Sequence, residues 1–290
     1  MANTRRPVTG KEPDAPLPHR EDNPCERLAF EDLDLLKSDD LRGLRLQLEF
    51  LKPERQLRNE RIESTIVVFG SARLMPEGDA RALCARLEES VRENQNDSVL
   101  AGELAVARRR LAYSRYYDEA KRFAAIVSRR FQIEQRRDFV ISTGGGPGAM
   151  EAANRGADEA DARSIGFNIR LPHEQASNPF ISPELCFRFH YFALRKMHFL
   201  LRARALVAFP GGYGTLDEVF EVLTLVQTGK IERLPIVFVG AQFWRRVIDF
   251  DFLVSEGMID QRDMDLFSVV DTAEQAVDVL CEFYGGSPPE

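Results

Sequence analysis

The sequence predicts an α/β fold, a doubly wound parallel sheet with helices on both faces, preceded by a helical extension at the N-terminus. Short apolar runs alternate with helical stretches over residues 64–283, which is the pattern of βαβ units with right-handed crossovers. Several runs are continuously apolar, as expected of strands that are buried on both faces. Two of the runs lead into glycine-rich turns, and each of these turns opens a helix.

The composition is that of a globular protein with an acidic surface. The 290 residues are 44% hydrophobic, and 39 basic residues against 46 acidic ones give a net charge of −7. This balance argues against nucleic acid or an anionic membrane as a partner, since both require a basic surface. The sequence contains no apolar stretch of membrane-spanning length and no signal-peptide core near its start, so we expect a cytoplasmic protein.

The cysteines and histidines give no sign of a metal site. Cys25, Cys84, Cys186 and Cys281 lie far apart without CxxC spacing, and the four histidines form no HExxH-like pair. Widely spaced cysteines are typical of reduced thiols in the cytoplasm. We therefore predict no disulfide framework, no metal centre and no cofactor.

The N-terminal part of the chain divides into a tail and a helical segment. Residues 1–25 are polar and rich in proline and charge, which predicts a disordered tail. Residues 26–63 form a predicted helical extension, and a helix break is predicted at Pro53. Its apolar stripe is too narrow to fold alone, so it should pack on the main domain or on a second subunit; the stripe comprises Leu33, Leu36, Leu41, Leu44, Leu48 and Leu51.

The main domain, residues 64–283, contains seven predicted strands, and residues 284–290 form a short tail. The strands are predicted at Thr65–Phe69, Phe139–Ser142, Ser164–Ile169, Leu185–Phe189, Ala205–Phe209, Pro235–Val239 and Phe267–Val270. Helices are predicted at Asp79–Phe131 with an interruption near Asn94–Ser98, at Ala149–Ala160, Phe192–Ala203, after Thr215, at Phe243–Ser255 and at Thr272–Phe283. In such sheets ligands bind at the carboxyl ends of the strands, where both glycine-rich turns fall.

The turn at Pro210–Glu218, which reads PGGYGTLDE, is suited to an anion. Gly211, Gly212 and Gly214 remove the side chains that would keep an anion from the backbone. The first N–H groups of the following helix have no intrahelical partner and carry its positive dipole end, so a phosphate fits there. A similar turn, TGGGPGAM at Thr143–Met150, strengthens the case for a phosphorylated ligand. The GxGxxG and GxxxxGK[ST] patterns are both absent, which favours a ligand of mononucleotide size.

Glu218 has two readings in the local sequence. Thr215 and Glu218 have the spacing of a capping box, in which Thr215 would cap the helix and Glu218 would bond back to its amide. Alternatively, Glu218 is a functional carboxylate one turn from the phosphate-binding glycines. The two readings are balanced on local sequence, and the second glycine-rich turn favours the functional one.

Taken together, these residues resemble a known family. GGGPGAM at Gly144–Met150, Arg195-Lys196, and PGGYGTLDE at Pro210–Glu218 are similar to the signatures GGGxxGxM and PGGxGTxxE of the Lonely Guy (LOG) family, with every fixed position matched over a region of roughly residues 64–283. The resemblance implies a Rossmann-like fold and hydrolysis of the N-glycosidic bond of a nucleoside 5′-monophosphate. The products would be a free base and ribose 5-phosphate, and the substrate AMP or an N6-modified AMP such as a cytokinin riboside monophosphate.

The resemblance also implies roles for individual residues. Arg195 and Glu218 match the catalytic arginine and glutamate of the family, and a carboxylate near C1′ would stabilise an oxocarbenium-like transition state. The residues implied in phosphate or nucleotide binding are Gly144, Gly145, Gly146, Gly148, Met150, Lys196, Gly211, Gly212, Gly214 and Thr215. The chain departs from shorter members in its N-terminal segment, its lengthened first helix and the run FRFHYFALRKM before the second motif.

Two rival functions remain open at this stage. A nucleotide-sensing module of the same fold would keep the glycines but would not need Glu218 together with Arg195. A pyridoxal-phosphate lysine decarboxylase would need a pocket lysine, and the main domain offers Lys121, Lys196 and Lys230 in no recognisable context for that role. We also expect a homo-oligomer, at least a dimer, because the apolar positions exceed what one sheet needs to cover itself.

Overall fold

The structure is a computed structural model that describes residue 25 and residues 27–132, 138–172 and 176–286. The tail predicted at residues 1–25 therefore lies outside the described residues except for Cys25, and so do residues 287–290 of the C-terminal tail. The chain divides into two compact units, one ending at Leu48 and the other beginning at Glu49. All of the strands described below belong to the second unit.

The predicted helical extension forms two helices, α1 at Leu33–Lys37 and α2 at Arg42–Asn59, with a short 3-10 turn at Asp39–Leu41 between them. The prediction of a break at Pro53 is wrong, because Pro53 lies inside α2. A proline in a helix removes one N–H, here the donor that would reach the carbonyl of Glu49. Pro53 is buried on the same helix as Leu57, and this packing offsets the missing bond.

The predicted α/β architecture is confirmed by a seven-stranded sheet in which all neighbouring strands are parallel. The strands are β1 Thr65–Phe69, β2 Val140–Thr143, β3 Ser164–Ile169, β4 Cys186–Phe189, β5 Ala203–Ala208, β6 Ile236–Val239 and β7 Phe267–Val270. Their spatial order is β4-β3-β2-β1-β5-β6-β7. The sheet is therefore doubly wound about its central strand, β1.

The order of the strands places a topological switch point beside β1. The chain runs outward from β1 to β4 on one side, then crosses to β5, which pairs with the other edge of β1 through Val67 and Leu206. The loops that follow β1 and β5 are joined by a backbone hydrogen bond of 3.0 Å from the Ser71 N–H to the Pro210 carbonyl. A crevice for a ligand is expected at this point.

The second unit also contains nine helices among its described residues. They are α3 Glu77–Glu93, α4 Ser98–Tyr113, α5 Arg115–Phe131, α6 Ala149–Asp158, α7 Phe192–Leu201, α8 Tyr213–Gln227, α9 Ala241–Val247, α10 Phe250–Ser255 and α11 Ala273–Phe283. Two of the predicted helices are each divided by a break that the prediction missed. One break lies at Ser114, whose hydroxyl donates to the Leu111 carbonyl, and the other at Ile248, where the backbone is extended.

Helices cover both faces of the sheet, and each face has its own apolar core. Ile66 and Val68 of β1 point to the side covered by α5, α6 and α11. Val67 and Phe69 point to the opposite side, where α7, α8 and α9 pack. This alternation follows from the two-residue period of a strand. In the part of the chain that is described, no helix has both the length and the apolar run that crossing a bilayer requires.

Candidate active site

A cleft of about 710 Å³ lies at the switch point, beyond the carboxyl ends of β1 and β5. One wall is the loop that follows β1, at residues 70–73, and the opposite wall is the first turn and a half of α8. Arg195 of α7, Met150 of α6 and Phe243 of α9 complete the lining. The cleft therefore collects residues from five separate segments of the chain, including both glycine-rich motifs.

The turn before α8 presents unused backbone donors to this cleft. The helix begins at Tyr213 with Gly212 as its N-cap, three residues earlier than predicted. Within the described chain, the N–H groups of residues 211–214 donate to no carbonyl, and the first bond back is from Thr215 N to Gly212 O at 3.0 Å. Four such donors at the positive end of a 15-residue helix suit a phosphate.

Gly211 is required in this turn for a steric reason as well. A Cβ atom built on Gly211 would lie 2.5 Å from the Thr215 Cβ and still closer to its hydroxyl. The Thr215 side chain is therefore folded back over Gly211, and Thr215 is only 6% exposed. Gly212 and Gly214, in contrast, face open space, which leaves room for a ligand against the backbone.

Glu218 lies in the second turn of α8, lines the cleft and is only 7% exposed. It does not form the capping box, because Thr215 lies inside the helix and Gly212 caps it without a side-chain bond. In the described chain its carboxylate has no hydrogen-bond or ion-pair partner. Burial raises the pKa of Glu218 to about 7, although the positive charges of Arg195 and Lys196 act in the opposite direction.

Arg195 approaches the cleft from α7 and is held at one end. Its Nε donates to the Phe167 carbonyl at 2.7 Å, and its guanidinium carbon lies 5.2 Å from the centre of the Phe199 ring. Burial lowers the pKa of Arg195, and the charge of Glu218 raises it; an arginine remains protonated under such shifts. Its two terminal nitrogens make no hydrogen bond to the described residues and are available to a ligand.

The first glycine-rich motif supports Arg195 and contributes Met150 to the cleft. A Cβ on Gly144 would lie 2.5 Å from Nη2 of Arg195 and 2.8 Å from the sulfur of Met150, so Gly144 allows both side chains their positions. Gly148 has a φ of +73° and packs against residues 71–72. These contacts join the two motifs and the β1 loop into one assembly.

The carbonyl oxygens of Gly145 and Gly146 accept hydrogen bonds from within the protein. The backbone N–H of Asn178 donates to the Gly145 carbonyl at 2.9 Å, and its side chain donates to the Gly146 carbonyl at 3.0 Å. Asn178 also donates to the fully buried Asn154, which accepts a second bond from Thr143. Sequence reasoning missed this network, since its hydrogen-bonded residues are 11 to 33 positions apart in the chain.

Lys196 points away from the cleft. Its ammonium forms ion pairs with Asp217 at 2.8 Å and with Glu221 at 3.2 Å, on the outer face of α8. It therefore links α7 to α8 and affects Glu218 only through space.

Sequence reasoning did not assign Ser71 or Arg73, which line the cleft. Their position directly after a buried strand was the available signal.

The helix that carries Arg195 is held at both ends by α2. A carboxylate oxygen of Glu49 accepts the backbone N–H groups of His190 and Tyr191, each at 2.8 Å, where α7 begins. At the other end, Glu54 binds Arg202 through two hydrogen bonds of 2.5 and 3.0 Å. The bonds from Arg202 lower the pKa of Glu54 more than burial raises it.

The residues of the cleft do not provide a metal site. Across the described ranges, no group of three or more histidine, cysteine, aspartate or glutamate side chains is arranged to hold a metal ion. The charged side chains that line the cleft are Arg73, Arg195, Asp217 and Glu218, and they stand beside a row of backbone N–H groups.

Comparison with solved structures gives distant likenesses. The molybdenum cofactor binding protein of Rippkaea orientalis is 14% identical, with a TM-score of 0.45 over 77% of this chain and 98% of that one. The molybdenum cofactor carrier protein of Chlamydomonas reinhardtii is 18% identical, with a TM-score of 0.45 over 77% of this chain and 99% of that one. At these TM-scores, neither likeness bears on what this chain binds.

Comparison with curated proteins gives three similar plant sequences. A probable cytokinin riboside 5′-monophosphate phosphoribohydrolase LOG4 of Oryza sativa subsp. japonica is 26% identical over 52% of this chain and 66% of its own length. The enzyme LOG of the same organism is 29% identical over 55% of this chain and 66% of its own length. LOG7 of Arabidopsis thaliana is 28% identical over 52% of this chain and 69% of its own length. The match thus spans about two thirds of the length of these relatives.

A family model described as "possible lysine decarboxylase" matches residues 150–280. This range contains Arg195, Lys196 and the whole second glycine-rich motif, and it begins at Met150 of the first. The curated relatives that match the chain bear the name of the LOG phosphoribohydrolases. The family model and these relatives together support a relationship to the LOG family over the region that holds Arg195 and the second glycine-rich motif.

Proposed function

We propose that this protein hydrolyses the N-glycosidic bond of a nucleoside 5′-monophosphate, AMP or an N6-modified AMP, to a free base and ribose 5-phosphate. The observation that carries the proposal is Glu218, a buried carboxylate without a partner in the described chain, which faces a cleft beside a row of free backbone N–H groups. A buried charge is costly unless a ligand or a reaction uses it.

The free N–H groups of residues 211–214 would hold the 5′-phosphate of the substrate. Glu218 lies one turn further along α8, about the length of a ribose from that phosphate. Its carboxylate would then lie near C1′, where positive charge develops as the bond to the base breaks. The binding of the phosphate thus positions the reacting carbon against the carboxylate.

Glu218 would stabilise the oxocarbenium-like charge and orient the attacking water. Water adds at C1′, the electron pair of the broken bond leaves with the base, and the proton that the water releases to Glu218 finally passes to the departing nitrogen of the base. With a pKa of about 7, this carboxyl can release and accept a proton near neutral pH. Arg195 would bind the ribose or the phosphate through its two free nitrogens.

The description of the matching family model suggests a lysine decarboxylase as a rival. Such an enzyme needs a lysine in its pocket to form a Schiff base with pyridoxal phosphate. No lysine lines the cleft among the described residues, and Lys196, the nearest, is engaged by Asp217 and Glu221. These contacts favour the phosphoribohydrolase.

A nucleotide-sensing module without turnover is the second alternative. It would use the same donors at residues 211–214, but an unpartnered carboxylate near C1′ would weaken binding without contributing to it. Glu218 therefore favours the enzyme over the sensor.

We also propose a cytoplasmic location, since Cys84, Cys186 and Cys281 form no disulfide.

The proposed function predicts selectivity for the monophosphate. AMP should be hydrolysed with a kcat/KM at least about a hundredfold higher than that of adenosine, because the phosphate supplies several charge-assisted hydrogen bonds that position C1′. Chromatographic detection of free adenine measures both reactions. Equal rates for AMP and adenosine would show that the turn before α8 does not bind the phosphate.

We further propose that two copies of the chain associate through α7 and α8. Five large apolar side chains on or beside these helices are 40% to 93% exposed, namely Phe192, Met197, Leu201, Tyr213 and Phe220. An apolar surface of this kind favours association in a closed pair. Sedimentation velocity at micromolar concentration should show a dimer, or a multiple of it, and Leu201→Asp with Phe220→Asp should shift the distribution towards monomer. A wild-type protein that sediments only as monomer would contradict the proposal.

A further inference from the structure

A second pocket of about 280 Å³ adjoins the turn before α8, and Glu218 is not part of its lining. We call it the arginine pocket and define it by Arg73, Arg109, Arg110, Tyr113 and Phe243. Gly211 and Arg73 line both this pocket and the central cleft, whereas Glu218 lines only the cleft. The two spaces therefore meet at the turn where the 5′-phosphate is proposed to bind.

The guanidinium groups of the three arginines have no partner among the described residues, although the protein carries an excess of acidic groups. Arg108, their neighbour on α4, forms an ion pair of 2.9 Å with Glu88 of α3. The side chains of Arg109 and Arg110 make no such bond, and that of Arg73 makes none either. Three unpaired guanidinium groups that line one pocket create a local positive field, which favours an anionic ligand.

The nearby carboxylates do not neutralise this field. Asp79 and Glu151 line an adjacent cavity of about 370 Å³ together with Arg73 and Arg110. Neither forms an ion pair with these arginines in the described chain, and Glu151 instead accepts a hydrogen bond of 2.9 Å from Tyr117. The guanidinium groups therefore remain available to an anion, and the oxygens of a phosphate match the geometry of their N–H donors.

The remaining walls of the arginine pocket are apolar. Tyr113 and Phe243 pack edge to face with ring centres 6.2 Å apart, and Leu74 and Val106 add apolar surface. The guanidinium groups are therefore the main polar groups that this pocket offers to an anion. The residues from α4 are contributed by the lengthened helical region between β1 and β2.

We infer that the arginine pocket binds a second phosphoryl group of the nucleotide that occupies the cleft, so that the site accepts a nucleoside 5′-diphosphate as a ligand. This inference rests on the proposed function for the position of the first phosphate. The base is attached at C1′, at the end of the ribose near Glu218. A further phosphate extends from the opposite end, towards Gly211 and the arginines beyond it.

The test is calorimetric titration of the Glu218→Gln protein, which keeps the nucleotides intact, with AMP and with ADP. ADP should bind at least about tenfold more tightly than AMP, which is the scale of one charge-assisted hydrogen bond. Adding Arg109→Ala and Arg110→Ala should abolish most of this advantage. Adding Arg108→Ala instead should preserve it, because that side chain is paired with Glu88 on the surface.

Three outcomes would overturn the inference. If ADP binds no more tightly than AMP while wild-type protein hydrolyses AMP, only the second subsite is wrong and the proposed function stands. If AMP itself neither binds nor is hydrolysed, the proposed function fails as well. If pyrophosphate binds alongside AMP while ADP has no advantage, the pocket serves a separate phosphate ligand rather than the nucleotide in the cleft.

Discussion

Replacement of Glu218 by glutamine should slow the hydrolysis of AMP by roughly a hundredfold or more, the usual cost of deleting a group that stabilises transition-state charge. The affinity for AMP should change little, because the proposed phosphate contacts come from backbone N–H groups that the substitution leaves alone. Glutamine keeps the shape of the side chain but carries no negative charge towards C1′. Turnover is measured by release of adenine, and affinity by calorimetry.

Glu221→Gln is the matched control for this prediction. Glu221 lies one turn further along α8 and is paired with Lys196 outside the cleft, so its replacement should leave turnover close to that of the wild type. If Glu218→Gln binds AMP and keeps near-normal turnover, the carboxylate is not part of the reaction. That result would favour the nucleotide-sensing module over the enzyme.

The same substitution should stabilise the protein at alkaline pH. The pKa of Glu218 rises from 4.5 to about 7 on folding, so the folded state holds this proton more tightly and loses stability as the pH rises from 4.5 to 7. Above pH 7 the cost is fully present and amounts to about 3 kcal/mol. Urea unfolding at pH 8 should show Glu218→Gln to be more stable by up to this amount, and the difference should vanish below pH 4.5.

The largest expected loss of stability comes from Gly156→Ala, at about 3 kcal/mol, the upper range for an overpacked core. Gly156 lies where α6 crosses α5, and a Cβ there would overlap the backbone carbonyl of Lys121 and lie 3.1 Å from the Cβ of Ala124. A backbone atom cannot rotate away as a side chain can, so the two helices must separate. The midpoint of urea denaturation measures the loss.

Gly102→Ala provides the opposite result as a control. Gly102 lies inside α4 with no atom within 4 Å of the position a Cβ would take. Alanine should therefore stabilise the protein by about 0.5–1 kcal/mol, since it restricts the unfolded chain and favours the helix. Similar effects of the two substitutions would mean that α5 and α6 do not pack at Gly156.

The strands were predictable because their signal is local. β1, β3 and β7 have the predicted ends, and each of them is followed directly by glycine or a charged residue, namely Gly70, Arg170 and Asp271. The helix boundaries were harder to predict, because a single side chain that hydrogen-bonds the backbone can start or end a helix. Asp249 is an example. Its carboxylate accepts the Phe252 N–H and starts α10 after an extended residue.

The candidate site was predictable where function depends on residues within one turn of the chain. Gly211, Gly212, Gly214, Thr215 and Glu218 line one cleft, as their spacing suggested. What the sequence could not indicate were contacts between distant segments. The bonds of Asn178 to the first glycine-rich loop, and that of Arg195 to Phe167, join residues 28 to 33 positions apart, and no local pattern records them.

The bonds between α2 and α7 also determine how the site opens. The N–H groups at the start of α7 are satisfied by a carboxylate from Glu49, more than 100 residues earlier in the chain. If this part of α2 detaches, those donors lose their acceptor and Arg202 loses Glu54, so α7 is weakened at both ends. The two helices should therefore lose their amide-exchange protection together, as one cooperative unit. Whatever binds or displaces α2 would then control, from a distance, how firmly Arg195 is held.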